Sequence, residues 1–249
     1  MKIYRRLRTW IMLGFVLLLP PLISLGVYLG GGEDMSGWSM MMTETILLFF
    51  LITIFTVVVA ADSVAGEFSW GTIKLLLIRP WSRSVILLSK YLSTLLFALF
   101  FTVVAFAVTW LTNFAVFGID GDSSLSANLS NGEYMLVFYL LQFITLIVIV
   151  TFGFMMSSAF RSGGLAIGLS ISLLFLGQFI TGLFAMADKA WVKYIMFMHL
   201  DLTGYIDGGN GPIPSHPMTL GFSLGVLAVY FLVFNVVSWT VFRKRDIAA

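Results

Sequence analysis

Residues 91–117 read YLSTLLFALFFTVVAFAVTWLTNFAVF, 27 consecutive positions with no Asp, Glu, Lys, Arg or His. A bilayer core about 30 Å thick needs roughly 20 apolar helical residues at about 1.5 Å each, so this stretch is long enough to cross it. Five others meet or nearly meet that test: Trp10–Gly30, Thr45–Ala61, Tyr134–Ala159, Gly164–Phe184 and Met218–Phe242. The second is the shortest, because Glu44 and Asp62 bound it; Thr43, Glu44 and the Met40-Met41-Met42 run are expected at its outer interface.

The whole composition agrees. Of 249 residues, 59% are apolar and only 10% are charged, whereas about a quarter of a soluble domain is charged. So few charges cannot cover a soluble core, and so apolar a chain is not disordered. The sequence predicts an all-α integral membrane protein of six transmembrane helices forming one polytopic domain over residues 1–249. Lys2, Arg5, Arg6 and Arg8 before the first span resemble a signal-peptide n-region. The uncharged run that follows is too long for an h-region, and no A-x-A site follows it.

Lysine and arginine set the orientation. With the N-terminus in the cytoplasm, 12 of the 14 basic residues lie inside and only Lys189 and Lys193 lie outside, while nine of the 12 acids sit at or beyond the outer face. The net charge of +2 therefore divides into +9 inside and −7 outside. Both termini are expected in the cytoplasm, as an even number of spans requires.

Between the second and third spans lies the longest inner segment, Asp62–Lys90. Asp62, Gly66, Glu67, Trp70, Gly71 and Lys74 share one helical stripe, and Val64, Phe68, Leu75 and Leu76 another. This sorting predicts one or two short amphipathic helices along the membrane surface, the first ended by Pro80, with Arg79, Trp81 and Arg83 at headgroup level.

Outside, the polar loop 118–133 is expected in solvent. Its Asp120 and Asp122 lack EF-hand spacing, and Asn128-Leu129-Ser130 matches a glycosylation sequon. Farther on, Trp191, Tyr194, Ile195 and Met198 recur at helical spacing and predict an apolar face dipping into the outer leaflet, before an irregular turn over 208–217. His199, Asp201 and His216 are the only candidate metal set, with undiagnostic spacing; no metal site is expected.

No Asp, Glu, Lys, Arg or His lies inside any span except Glu44, at an edge. That argues against proton antiport and against a charged pore. Asn113, Gln142, Gln178 and Asn235 are candidate polar residues of a translocation path, and interhelical hydrogen bonding is the plainer role for each. Gly26/Gly30, Gly164/Gly168 and Gly221/Gly225 form small-xxx-small pairs. No span has the parts of an intramembrane protease. Without a Gly-Lys dipeptide there is no G-x-x-x-x-G-K-[ST] loop, and the chain has no cysteine for a thiol site. No catalytic residue is assigned, and no nucleic-acid partner is expected.

Three motifs carry a resemblance: Glu67-x-x-x-Gly71-Thr72 with Arg79-Pro80-x-Ser82-Arg83 downstream, Lys90 opening the third span, and the closing Phe242-x-Lys244-Arg245-Asp246-Ile247. With Phe197-x-His199-Leu200 before the last span, the chain resembles the permease subunits of ABC transporters of the second exporter class, in the branch of bacitracin-type and lantibiotic-immunity permeases. The resemblance implies a non-catalytic subunit of the bacterial cell membrane, paired with a second permease, identical or homologous, and with a separate ATPase subunit that binds ATP and Mg. It further implies a coupling element after the second helix, carried here by Asp62, Glu67, Gly71, Thr72, Arg79 and Arg83. The exported solute would be amphiphilic. Such permeases usually begin with a longer amphipathic helix than the few residues before Trp10 here. The alternatives are a nucleotide-independent secondary carrier or channel, and a regulatory membrane scaffold.

Overall fold

The computed structural model describes residues 7–32, 35–72, 82–118, 124–160, 162–186, 189–213 and 216–244, except the side chains of Gln178 and Ala185. Six long helices carry the fold: α1 (Leu7–Leu29), α2 (Gly37–Ser69), α3 (Arg83–Val116), α4 (Asn131–Ala159), α5 (Gly163–Ala185) and α6 (Leu220–Lys244). All six are long and apolar enough to cross a membrane. No strand occurs among the described residues. The protein is a multi-pass helical membrane protein.

Serines start four of these helices. The hydroxyls of Ser36, Ser82, Ser130 and Ser162 accept backbone N–H groups of the first turns of α2, α3, α4 and α5, satisfying donors that a helix start leaves open. Ser130 and Glu133 form a reciprocal capping box. Gly71, with φ +68°, lies in the left-handed region just beyond α2 and ends it.

α2 and α4 form the centre. α2 packs against α3, α4, α5 and, less, α1; α4 packs against α2, α3, α5 and α6. Val16, Leu48, Ile52, Phe97, Phe101 and Phe154 sit in the main core where α1 to α4 meet. Gly153 lets α4 approach α2 closely: a Cβ there would lie 3.6 Å from Ala60 and Val57. α1, α5 and α6 are peripheral, with most of their apolar surface facing outward.

The expected spans all appear, but two helices overrun them. α2 covers 33 residues and α3 covers 34, about 50 Å each and well beyond the hydrocarbon core. Residues 62–69, expected to open a surface helix, instead continue α2. Lys74, Arg79, Pro80 and Trp81 lie outside the described residues.

The segment before α6 also departs from expectation. It forms three short 3-10 turns, Ala190–Tyr194, Met196–His199 and Thr203–Tyr205, folded as a cap against α5 and α6. The Thr181 hydroxyl donates to the Phe197 carbonyl (3.1 Å) and the Tyr230 hydroxyl to that of Tyr194 (3.1 Å). Consequently the expected apolar face divides: Trp191 and Tyr194 are exposed, whereas Met198 is buried with Val192, Ile213 and Met218. The 118–133 loop is exposed over most of its described residues, but Ser126 is buried and donates to Asp207 (2.6 Å).

Candidate functional site

The polar side chains gather at the two ends of α2, about 30 Å apart along the helix. At the end where α1 begins and α6 finishes, called inner after the expected orientation, Glu67 and Lys90 form an ion pair between α2 and α3 (3.0 Å). The Lys90 ammonium also donates to the Ser63 carbonyl (2.6 Å), and the Thr72 hydroxyl donates to the second Glu67 oxygen. One turn deeper, Asp62 pairs with Arg8 of α1 (2.9 Å).

The other Asp62 oxygen lies against the start of α5, where a Cβ on Gly163 would stand 3.2 Å from it. A carboxylate is favoured at a helix N-terminus, where unpaired amides concentrate positive potential. The Gly163 amide donates to Ser69 (2.9 Å), and the Ser157 hydroxyl of α4 accepts the amides of Val64 and Ala65 (2.9 and 3.0 Å). Thus the last two turns of α2 are fastened to α1, α3, α4 and α5. Both ion pairs are largely sheltered from solvent, where losing one partner costs more than at an open surface.

Among the expected coupling residues, Asp62, Glu67, Gly71 and Thr72 therefore converge on this inner end. Arg83 stands two turns before Lys90 on α3 and reaches the Arg243 carbonyl at the end of α6 (3.4 Å). Arg79 lies outside the described residues.

The opposite end, called outer after the same expectation, holds a clasp that hydropathy alone does not predict. Glu44, expected at the interface, is 1% exposed. One carboxylate oxygen accepts the Ser24 hydroxyl of α1 (2.7 Å) and the other accepts the Asn113 amide of α3 (2.6 Å). Asn113 also donates to the Thr109 carbonyl (2.9 Å), and its amide oxygen lies 3.2 Å from the Ser24 hydroxyl. Beside it, the Tyr139 hydroxyl of α4 meets Thr45 (3.0 Å) and Thr109 (3.3 Å). No basic side chain pairs with Glu44 among the described residues. An acid seven residues inside a helix start, in an otherwise uncharged span, was the available signal for this clasp.

Two of the four candidate path residues, Asn113 and Asn235, lie far apart. Asn113 is committed to the outer clasp. Asn235 donates to the Phe231 carbonyl of its own helix (2.9 Å), close to Tyr91 and Trp239 near the inner end of α3; Tyr91 and Asn113 are separated by about 33 Å of helix. Gln142 is half-buried on α4. The Gln178 side chain lies outside the described residues.

Nor do His199, Asp201 and His216 form a metal set, and no such group occurs among the described residues. His199 donates through Nε2 to the Lys193 carbonyl (2.7 Å) and accepts through Nδ1 from the Ser223 hydroxyl (2.8 Å), which in turn lies 2.8 Å from the Tyr205 hydroxyl. Burial pushes the His199 pKa below its ordinary value, opposed by the bond to Lys193. Asp201 accepts the Thr203 amide (3.1 Å) and hydroxyl (2.6 Å).

Two Bacillus subtilis (strain 168) proteins are similar to this chain. "Uncharacterized protein YhcI" is 39% identical over 221 residues, covering 85% of this chain and 69% of its own. "Uncharacterized membrane protein YdbK" is 28% identical over 218 residues, covering 88% of this chain and 85% of its own. A family model matches residues 21–248, from the middle of α1 through the last helix. The chain therefore belongs to the family described as "Protein of unknown function (DUF2705)".

Proposed function

We propose that this chain is the permease subunit of an ATP-driven exporter of the bacterial plasma membrane, working with a separate ATPase subunit and a second permease subunit, identical or homologous. Its solute is an amphiphile: an antimicrobial peptide, a drug or a lipid-like molecule. The observation that supports this reading most is the fastening of the inner end of α2, through Arg8–Asp62, Lys90–Glu67, Ser157 and Ser69–Gly163, to four neighbouring helices. A push on the segment that follows Gly71 enters a helix that cannot yield alone. It moves α1, α3, α4 and α5 as a body, which is what converting ATPase closure into helix movement needs. Gly71 matters here because its left-handed backbone turns the chain sharply out of α2.

The test is isolation of the intact complex from its native membrane, identification of its subunits, and reconstitution. An ATPase subunit that co-purifies, is lost on Glu67→Ala or Gly71→Leu, and turns over faster with an amphiphile supports the proposal. Solute movement in vesicles without any nucleotide overturns it.

The buried Glu44 favours a second reading, a nucleotide-independent carrier, because an ionisable group inside a bundle is costly unless it serves transport or packing. In that case Glu44→Gln abolishes solute movement while leaving the fold intact.

A further inference from the structure

The charge division of the chain leaves only two basic residues, Lys189 and Lys193, at the end of the bundle away from the termini, among a majority of acids. Neither forms an ion pair among the described residues. The Lys193 ammonium lies over the Tyr194 ring (5.4 Å) and the Phe222 ring (5.9 Å), so aromatic faces hold it in place without neutralising it. The described acids of the same segment are engaged elsewhere: Asp201 caps the Thr203 turn and Asp207 holds Ser126. Asp188 lies outside the described residues. Trp191 and Tyr194 are each more than half exposed beside it, as amphipathic rings at a headgroup boundary are.

An apolar track leads down from this point. At about 100° per residue, Phe222, Gly225, Val229, Leu232 and Val236 of α6 fall within about 80° of arc, on one face. Val229, Leu232 and Val236 are each at least 60% exposed, and a Cβ on Gly225 would meet nothing within 4 Å. The track is about 21 Å long, more than half the thickness of a hydrocarbon core. The geometry points to a site for one anionic phospholipid of the outer leaflet, with its phosphate on Lys193 and an acyl chain along α6. A free phosphate would use the lysine but not the track, and a neutral lipid the track but not the lysine.

Native mass spectrometry of the delipidated, detergent-solubilised full chain, without nucleotide or ATPase, tests the site independently of the exporter proposal. Wild type binds phosphatidylglycerol more tightly than diacylglycerol, which has the acyl chains but no phosphate. Lys193→Gln weakens the phosphatidylglycerol association by about fivefold, the worth of one lysine at a lipid surface, and leaves diacylglycerol unchanged; Lys193→Arg retains the preference. Gly225→Leu, which obstructs the track on an open face, weakens phosphatidylglycerol without touching the lysine. Equal affinity of wild type and Lys193→Gln for phosphatidylglycerol overturns the proposal, as does its displacement by millimolar inorganic phosphate.

Discussion

Replacing Glu44 by alanine and, separately, by glutamine distinguishes hydrogen bonding from charge in the outer clasp. Alanine removes the acceptor of both the Ser24 hydroxyl and one Asn113 N–H, in a place with no access to water. Each orphaned donor costs about 1–3 kcal/mol. Asn113 keeps its bond to the Thr109 carbonyl and Ser24 retains the Asn113 oxygen at 3.2 Å, so the expected loss is about 2–4 kcal/mol.

Glutamine can satisfy every partner: its carbonyl accepts from Asn113, its amide donates to Ser24, and the Ser24 proton turns to the Asn113 oxygen. It should cost less than about 1 kcal/mol, since no cation is left behind. For a chain of this size about 1 kcal/mol corresponds to about 2–4 °C. Alanine should thus lower the melting temperature by roughly 5–15 °C and glutamine by only a few degrees. Thermal unfolding in detergent, followed by size-exclusion fluorescence, gives both values. Equal destabilisation by the two would refute the reasoning and show that the charge itself is needed.

Other expectations concern the rest of the bundle. A double-mutant cycle on Arg8 and Asp62 should give a coupling of about 1 kcal/mol, and additive effects would remove the pair from the account of the inner end. Gly177→Ala places a Cβ 2.7 Å from the Phe197 ring and should cost about 1–3 kcal/mol, whereas Gly168→Ala, with nothing within 4 Å, should be neutral or stabilising.

His199 is held neutral, so the unfolded chain binds its proton more readily than the folded one. Stability is fully present above the ordinary histidine value near ~6.5 and is lost as pH falls from there toward the lowered folded value. Melting curves from pH 8 to pH 5 should show that loss in wild type and a smaller one in His199→Gln. In a chain without cysteines, Asn128→Cys should react with an impermeant maleimide in intact cells, and Ser82→Cys only after permeabilisation; the reverse pattern would invert the topology.

How much of this was legible depends on what a charge means in a sequence. The apolar runs place all six helices. Their ends are misplaced where a hydropathy reading takes a charged residue for a water boundary. α2 passes through both of its expected limits because Glu44, Asp62 and Glu67 each find a partner on another helix. Those partners are far away in sequence, and one of them, Ser24, is too small and too common to attract notice.

The cap before α6 was misread for a related reason. Trp191, Tyr194 and Met198 fit a helical period, but the carbonyls of Lys193, Tyr194 and Phe197 are taken by His199, Tyr230 and Thr181, and local turns replace a continuous helix. Asp62, Glu67, Gly71 and Thr72 are expected as coupling residues only through the resemblance, and the structure places them together at one end of α2. Asn235, by contrast, follows the plain expectation, spending its donor on its own helix.

The two ends of α1 have a consequence for how that helix can move. Arg8 and Ser24 are 16 residues apart, about 24 Å, and their acceptors Asp62 and Glu44 are 18 residues apart on α2, about 27 Å. The two helices are thus matched like a key with two teeth. Sliding α1 by a single turn, about 5.4 Å, withdraws both teeth together, and rotating it turns both away. A lipid-facing helix with little burial would otherwise drift in register. Against these two motions its position is digital: a slide or a rotation of α1 as one rod leaves it either seated at both ends or released from both.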